Sequence, residues 1–260
     1  MKSYLTHSTS RQQGMTLIEL LVVISIIGVL ASLILPALAG AKKKARETQA
    51  RKDMSDIKGA ISVYQSDYNR LPASTSANVN FGGVQIDFTY GSSGTGYGTN
   101  VNSCPAGSLP ASYQASNAEL MVILTGGATN GMTLPIDPSV QNNNRNPRKT
   151  GYFTPKPAAG GAGANAGPGQ GTDGVMRDPW SNPYIIALDL NYDGWVSNSV
   201  YNAAAVNAGV TGNALVPQAG GSTYALKDSV MIFSFGQDGF FDTATAANAG
   251  VNRDNITSWK

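Results

Sequence analysis

The chain has 260 residues, 42% of them apolar and only 13% charged, which suffices to bury one core of ordinary size and is far from the composition of a disordered tail. Its formal net charge is +2 and the basic residues gather near the N-terminus, so there is no nucleic-acid footprint. Cys104 is the single cysteine and His7 the single histidine, which excludes an internal disulfide and any CxxC metal motif.

Residues 1–14 are polar and weakly basic, through Lys2 and Arg11, and end in Gly14. From Met15 to Leu35 the only clearly polar side chains are Thr16, Glu19, Ser25 and Ser32. About 20 such residues in a helix cross a hydrocarbon core of ~30 Å, whereas the apolar part of a secretory signal runs ~7–15 residues. Residues 15–41 therefore read as a transmembrane helix. Glu19 is anomalous there, because a carboxylate inside a spanning helix costs ~2.5–3.5 kcal/mol on insertion scales. No Lys, Arg or His lies between residues 12 and 41, so the partner of Glu19 is expected from outside the helix. A cut after Gly14 would free an amine on Met15, and Glu19 of one copy could then pair with Met15 of its neighbour.

Helix is expected to continue over residues 42–71. Met54, Ile57, Ile61, Tyr64, Tyr68 and Leu71 follow one another at spacings that keep them on one face, while Lys52, Asp56, Lys58 and Asp67 lie off it. This half should dock on a globular core. Pro72 stops it, and Pro36 should bend the helix further up.

Residues 72–260 read as one globular domain with flexible inserts at about 73–112 and 141–174. The first insert includes GSSGTGYGTNVNS and one short strand at Val84–Tyr90. SNAELMVILTGG predicts a short helix with Ser116 as N-cap, Glu119 completing a capping box, Gly126 at its end, and Leu120, Ile123 and Leu124 buried. The second insert reads as exposed and mobile, and its Gly-rich patches lack the strand, lysine and helix of a phosphate loop. RDPWSNPYIIALDLNYDGWV then predicts a turn at Pro179–Pro183, a strand at Tyr184–Leu188 and a hairpin bend at Asn191–Gly194, and KDSVMIFSFGQDGFFD predicts a strand at Ser229–Phe235. Trp180, Tyr184, Trp195, Phe233, Phe235, Phe240 and Phe241 read as the core of this sheet. Asp189, Asn191, Asp193 and Gly194 fit the opening of an EF-hand loop, but Val200 stands where the bidentate acid should be. Those residues are the weaker of two calcium candidates, and Asx-turn chemistry explains them equally well. With no histidine near Cys104, nothing in the sequence supports an enzyme.

Gly14, Met15, Thr16, Leu17, Ile18 and Glu19, followed by a long apolar helix, resemble the cleavage and N-methylation site of type IV pilins and type II secretion pseudopilins. The resemblance implies a prepilin peptidase cutting between Gly14 and Met15 and methylating Met15, with Glu19 serving assembly and Pro36 kinking the helix. It implies an α+β fold: a long bent N-terminal helix, half membrane and half amphipathic, packed on a small antiparallel sheet with long Gly/Asn-rich loops. The basic cluster Lys42, Lys43, Lys44 and Arg46 would by the positive-inside rule keep the domain cytoplasmic, whereas the resemblance implies a periplasmic domain on a single-pass inner-membrane anchor. Loss of Lys2 and Arg11 with the leader would take the 18 basic side chains to 16, equal to the 16 acidic ones and suited to packing copies together.

Asp178, Pro179, Trp180, Asn182, Pro183 and Tyr184 resemble a segment of the G-type pseudopilins, with Ser181 in place of glycine. Ser234, Gly236, Asp238, Gly239, Asp254, Ile256 and Trp259 resemble their calcium-binding C-terminal loop, which implies Asp238, Asp254, Asn255 and Ser234 as ligands. The stretch 240–253 departs from that pattern, Asn255 stands where a second acid is usual, and a plain turn needs no metal. The implied function is a structural subunit of a type II secretion pseudopilus. Its implied partners are copies of itself, other pseudopilins, the peptidase and the inner-membrane secretion platform. A type IV pilus subunit, or a membrane-anchored calcium- or carbohydrate-binding module that never polymerises, are the alternatives. The single cysteine, which forbids the C-terminal disulfide of many pilins, favours the pseudopilus.

Overall fold

The computed structural model describes residues 15–75, 77, 80–81, 84–85, 87–91, 116–127, 140, 143–161, 166–198, 200–212, 214–218 and 223–259. His7, Gly14, Cys104 and the greater part of the first insert lie outside the described residues. In chain order the elements are α1 (Leu17–Tyr68), β1 (Asn80–Phe81), β2 (Val84–Gln85), β3 (Phe88–Tyr90), α2 (Ala118–Leu124), β4 (Gly169–Gln170), β5 (Met176–Arg177) and β6 (Ile185–Leu188). A four-residue helix at Ala204–Asn207 follows, then β7 (Leu215–Pro217), β8 (Tyr224–Leu226), β9 (Val230–Ser234), a 3-10 turn at Gly250–Asp254, and β10 (Ile256–Thr257). Contacts divide the chain into two compact units after Ala45. In the first, α1 runs unbroken from Leu17 through Pro36.

In the second unit, α1 buries Ala50, Met54, Ile57, Ala60, Ile61 and Tyr64, the stripe expected from the spacing. It ends as Asn69 turns left-handed (φ 50°), a conformation that Asn tolerates better than most residues, three residues ahead of Pro72. The central sheet is antiparallel with strand order β10-β9-β6-β3. Its register sets Ile186 opposite Ile232 and Tyr90, and Ile185 opposite Phe233. Successive side chains of a strand point to opposite faces. Tyr90, Ile186, Leu188, Val230 and Ile232 accordingly pack with α1 and α2, while Ile185, Ala187, Met231 and Phe233 pack with Val196, Val200, Tyr201, Val206 and Leu226. Both faces being covered is why β6 reads as an uninterrupted apolar run instead of alternating. The α+β arrangement expected of the chain, a long N-terminal helix on small antiparallel sheets, is the one observed.

All seven residues of α2 are buried, so the helix has no solvent face. It starts one residue later than the Ser116 capping box requires: Asn117 holds the N-cap position without a side-chain cap bond, while the Ser116 hydroxyl accepts the Ala118 amide (3.2 Å). Asn117 points elsewhere. Its Nδ2 donates to the carbonyls of Met176 (2.9 Å) and Tyr184 (2.8 Å), and its Oδ1 accepts the Met176 amide (2.9 Å). One fully buried amide thus ties α2 to β5 and to the start of β6.

Three expectations need correction. The insert 141–174, read as exposed and mobile, does expose many of its described residues, 147–151 among them, but it is anchored to α1. Tyr64 Oη donates to the Arg145 carbonyl (2.5 Å), Tyr68 Oη to Asn146 Oδ1 (2.9 Å) and Tyr152 Oη to Asp67 (2.7 Å), so three tyrosines, their rings within 4.7–6.3 Å, stitch this segment to the last turns of α1. Farther on, Arg177 grips Asp173 through two bonds (2.9 and 2.5 Å). Second, the turn at 191–194 closes no hairpin: β6 pairs with β3 and β9, and the chain beyond the turn crosses over so that Val196 bridges Leu226. Third, the expected strand Val84–Tyr90 is split into β2 and β3, with buried Asp87 between them. Of the aromatic residues assigned to the core, Tyr184, Phe233 and Phe235 are buried, Trp180, Trp195 and Phe241 half-buried, and Phe240 exposed.

Candidate functional site

The first unit carries the strongest functional signal. Sixteen large apolar side chains between Met15 and Leu38 are exposed, and none of the most apolar 18-residue stretch is buried. Water does not tolerate a continuous apolar surface of that extent, so lipid or other protein must cover it. By length and composition this helix can cross a membrane.

Glu19 sits in the first turn of α1 and has a partner within its own helix. Its Oε2 accepts the Thr16 amide (2.8 Å) and the Thr16 hydroxyl (2.8 Å), while the Glu19 amide donates to Thr16 Oγ1 (3.3 Å). This is a reciprocal capping box. The expectation that every partner of Glu19 comes from outside the helix is therefore corrected: polar satisfaction is local, and only a counter-charge has to be supplied by another group. The T-x-x-E spacing that signals the box is visible in the sequence at Thr16 and Glu19. Ser25 and Ser32 donate to the carbonyls of Val22 and Val29 (both 2.7 Å), which leaves the remaining polar groups of the apolar stretch self-satisfied.

The two C-terminal segments that the sequence singles out are brought together. Asp178 is fully buried, and its Oδ1 accepts the amides of Trp180 (2.8 Å) and Asn182 (2.9 Å) while its Oδ2 accepts the Ser234 hydroxyl. Asn182 Nδ2 donates to the Gly236 carbonyl (2.7 Å), locking the turn onto the closing loop. Burial pushes the Asp178 carboxyl up to about 6, with the hydrogen bonds from Ser234, Asn182 and Trp180 opposing it. Ser181 has φ 76°, the left-handed conformation that favours glycine.

The residues expected to hold calcium do not fit the ion as arranged. Asp254 Oδ2 accepts the amides of Gln237 (2.6 Å) and Asp238 (3.0 Å), and Asp238 Oδ1 accepts the Phe240 amide (2.8 Å), so N–H groups close the loop where a cation would need oxygens. Ser234 is buried beneath Asp178, and Asn255 Nδ2 reaches Asn252 (3.5 Å). Burial raises the Asp238 carboxyl, and the Asp254 charge raises it further. In the weaker candidate, Asn191 and Asp193 bind each other, Asp193 Oδ1 accepts the Trp195 amide (2.8 Å) and Asp189 Oδ2 the Gly194 amide (3.0 Å), an Asx-turn network. Among the described residues, no three acidic, histidine or cysteine side chains converge.

Comparison with known proteins places the similarity at the N-terminus. Residues 9–35 match the model of the prokaryotic N-terminal methylation motif. The chain is 48% identical over 63 residues to type II secretion system core protein G of Pectobacterium carotovorum subsp. carotovorum, covering 24% of this chain and 40% of that protein. To core protein G of Aeromonas hydrophila it is 47% identical over 62 residues, 24% of this chain and 43% of the relative. A fimbrial protein, EcpC of Eikenella corrodens, is 42% identical over 66 residues, 25% of this chain and 43% of the relative. The chain thus spans less than half the length of the relatives it matches, through its N-terminal 63 or so residues. No solved structure matches it.

Proposed function

We propose that this chain is a pseudopilin: a structural, non-catalytic subunit that prepilin peptidase cuts between Gly14 and Met15, methylates on Met15, and releases for polymerisation into a type II secretion pseudopilus. The observation that carries the proposal is the pairing of a methylation motif over residues 9–35 with an apolar helix that nothing covers among the described residues of its own unit. In the membrane, lipid covers that surface; in the filament, the helices of neighbouring subunits replace lipid, and association then depends on packing and on specific polar contacts. Glu19 supplies such a contact. With Oε2 engaged by Thr16, the carboxylate is held in one geometry at the helix start, near the place where the new Met15 amine would form.

The domain from Arg46 on lies in the periplasm in this reading, carried on a single-pass inner-membrane anchor, and its partners are copies of itself, other pseudopilins and the inner-membrane secretion platform. No step of the proposal runs through calcium. A type IV pilus subunit is the second reading, favoured by the similarity to a fimbrial protein of Eikenella corrodens. The test is mass spectrometry of the mature protein from membranes of cells with and without prepilin peptidase, where the expected N-terminus is methylated Met15 only when the enzyme is present.

A further inference from the structure

The face of the sheet turned away from α1 carries a polar cavity of about 250 Å³. On one side stands the stretch Asn191–Ser197 with Asp87, on the other the β7–β8 hairpin and Asn202. Hydrogen bonds tie its described walls together. Asp87 Oδ2 accepts both the amide (2.8 Å) and the hydroxyl (3.2 Å) of Ser197, Asp193 accepts the Trp195 amide, and paired bonds between Val196 and Leu226 (2.9 and 2.8 Å) join the two sides. The Tyr224 amide donates to the Asn202 carbonyl (3.0 Å), anchoring the hairpin.

The chemistry of the lining selects a ligand class. Asp193 presents carboxylate acceptors, Asn191 and Asn202 present amides that both donate and accept, and Trp195 and Tyr224 add aromatic surface, while the buried Asp87 holds Ser197 in place. Among the described residues no lysine or arginine lines the cavity itself, and the Lys227 ammonium stands 5.9 Å over the Trp195 ring, so a phosphate or carboxylate ligand seated in the cavity would lie against the Asp193 carboxylate. Polar groups predominate, which disfavours an apolar guest, and no three acidic, histidine or cysteine side chains converge among the described residues, which disfavours a metal ion. What matches is a neutral molecule with hydroxyls around its edge and C–H bonds on its faces. At ~30 Å³ per liquid water, the volume equals about eight waters, room for one sugar ring. We propose that this cavity is a binding subsite for a neutral saccharide unit, with Asp193 and the Asn191 and Asn202 amides meeting its hydroxyls and the Trp195 indole packing on its ring. The proposal is independent of processing and assembly at the N-terminus.

The three tryptophans provide an internal control. Trp180 packs against the α1 side of the core and Trp259 against Tyr201 and Phe233 (5.0 and 6.3 Å), while Trp195 lines the cavity. The full chain, held in a zwitterionic detergent that contains no sugar and labelled with ¹⁵N at the indoles, is titrated with glucose, galactose and N-acetylglucosamine, and with glucuronate as the anionic control. The expected result is a saturable shift of the Trp195 indole signal with at least one neutral sugar, none with glucuronate, and still signals from Trp180 and Trp259. Asp193→Asn should weaken that binding at least tenfold with the other two signals unchanged, which shows that the variant is folded. The proposal is overturned if no neutral sugar moves Trp195, if all three indoles move together, if Asp193→Asn binds as the parent does, or if calcium chloride alone produces the shift and blocks the sugar.

Discussion

The proposed assembly gives Glu19 two separable roles, and a pair of substitutions distinguishes them. Its Oε2 accepts the Thr16 amide and hydroxyl at 2.8 Å, which any side-chain carbonyl oxygen can do; its charge is needed only for a cationic partner. Glu19→Gln keeps the first role and removes the second, and Glu19→Ala removes both. Losing a cap costs about 0.5–2 kcal/mol of helix stability, while removing the charge relieves the ~2.5–3.5 kcal/mol penalty of placing it in a bilayer. Both variants should therefore enter the membrane at least as well as the parent. An ion pair at ~4 Å contributes ~4 kcal/mol at an effective dielectric constant of ~20, so its loss weakens each subunit contact by about 10³. Because a filament repeats that contact at every subunit, both variants should abolish polymer. The assay compares, by immunoblot, subunit in the membrane fraction with subunit in sheared filaments. Filaments at the parent level from Glu19→Gln, combined with their loss from Glu19→Ala, would refute the reasoning, because the cap alone would then account for assembly.

Further outcomes concern the second unit. Asn117→Ala strands the Met176 amide on β5 and the Tyr184 carbonyl at the start of β6, while the Met176 carbonyl keeps the Tyr184 amide; at about 1–3 kcal/mol for each of the two groups and about 2–4 °C per kcal/mol, thermal unfolding should shift down by roughly 4–24 °C, and a shift within error would show the hub to be dispensable. Ser181→Gly relieves a left-handed backbone and should raise stability by about 1 kcal/mol in denaturant titration; a loss would mean that the Ser181 side chain contributes more than its strain costs. Asp178 has its folded-state value raised to about 6 from an ordinary 3.8, so the native state binds the extra proton between those values and stability falls as pH rises from about 4 through 6. Asp178→Asn removes that slope and should gain on the parent by on the order of 2–3 kcal/mol from pH 4 to 7; parallel melting curves across that range would show that the burial cost is not expressed.

The parts of the fold that were legible in the sequence are those where one physical term dominates. The stripe from Met54 to Tyr64 needs only helical spacing to be found, and the strands around Ile185–Leu188 and Val230–Ser234 need only a short apolar run. Segment 143–156 was opaque for the opposite reason. Its buried anchor Asn146 donates Nδ2 to the carbonyls of Ile123 and Thr150 (both 2.8 Å), and a buried asparagine has the same letter as one in a solvated turn. The bend at Asn191–Gly194 was correctly a turn but wrongly a hairpin, because Asx chemistry fixes a local conformation without saying which strand pairs next. In the N-terminal site, Gly14, Met15 and Glu19 were legible as a motif, while the role of Thr16 was missed. In the sequence its capping signal is indistinguishable from the motif that contains it. The sugar-sized cavity could not have been anticipated, since Asp87, Asp193, Asn202 and Tyr224 come together only through the crossover that the hairpin expectation obscured.

The central claim is that residues 1–14 are a leader and that the apolar helix is the beginning of an assembling subunit. Intact-mass and N-terminal peptide analysis of the protein from peptidase-positive and peptidase-negative membranes tests it most directly. The expected result is a chain beginning at Met15, one methyl group heavier than the unmodified sequence from that residue on, in the first sample and the uncut chain in the second. A chain that begins at Met1 in both, or that is cut at any other bond, would contradict it.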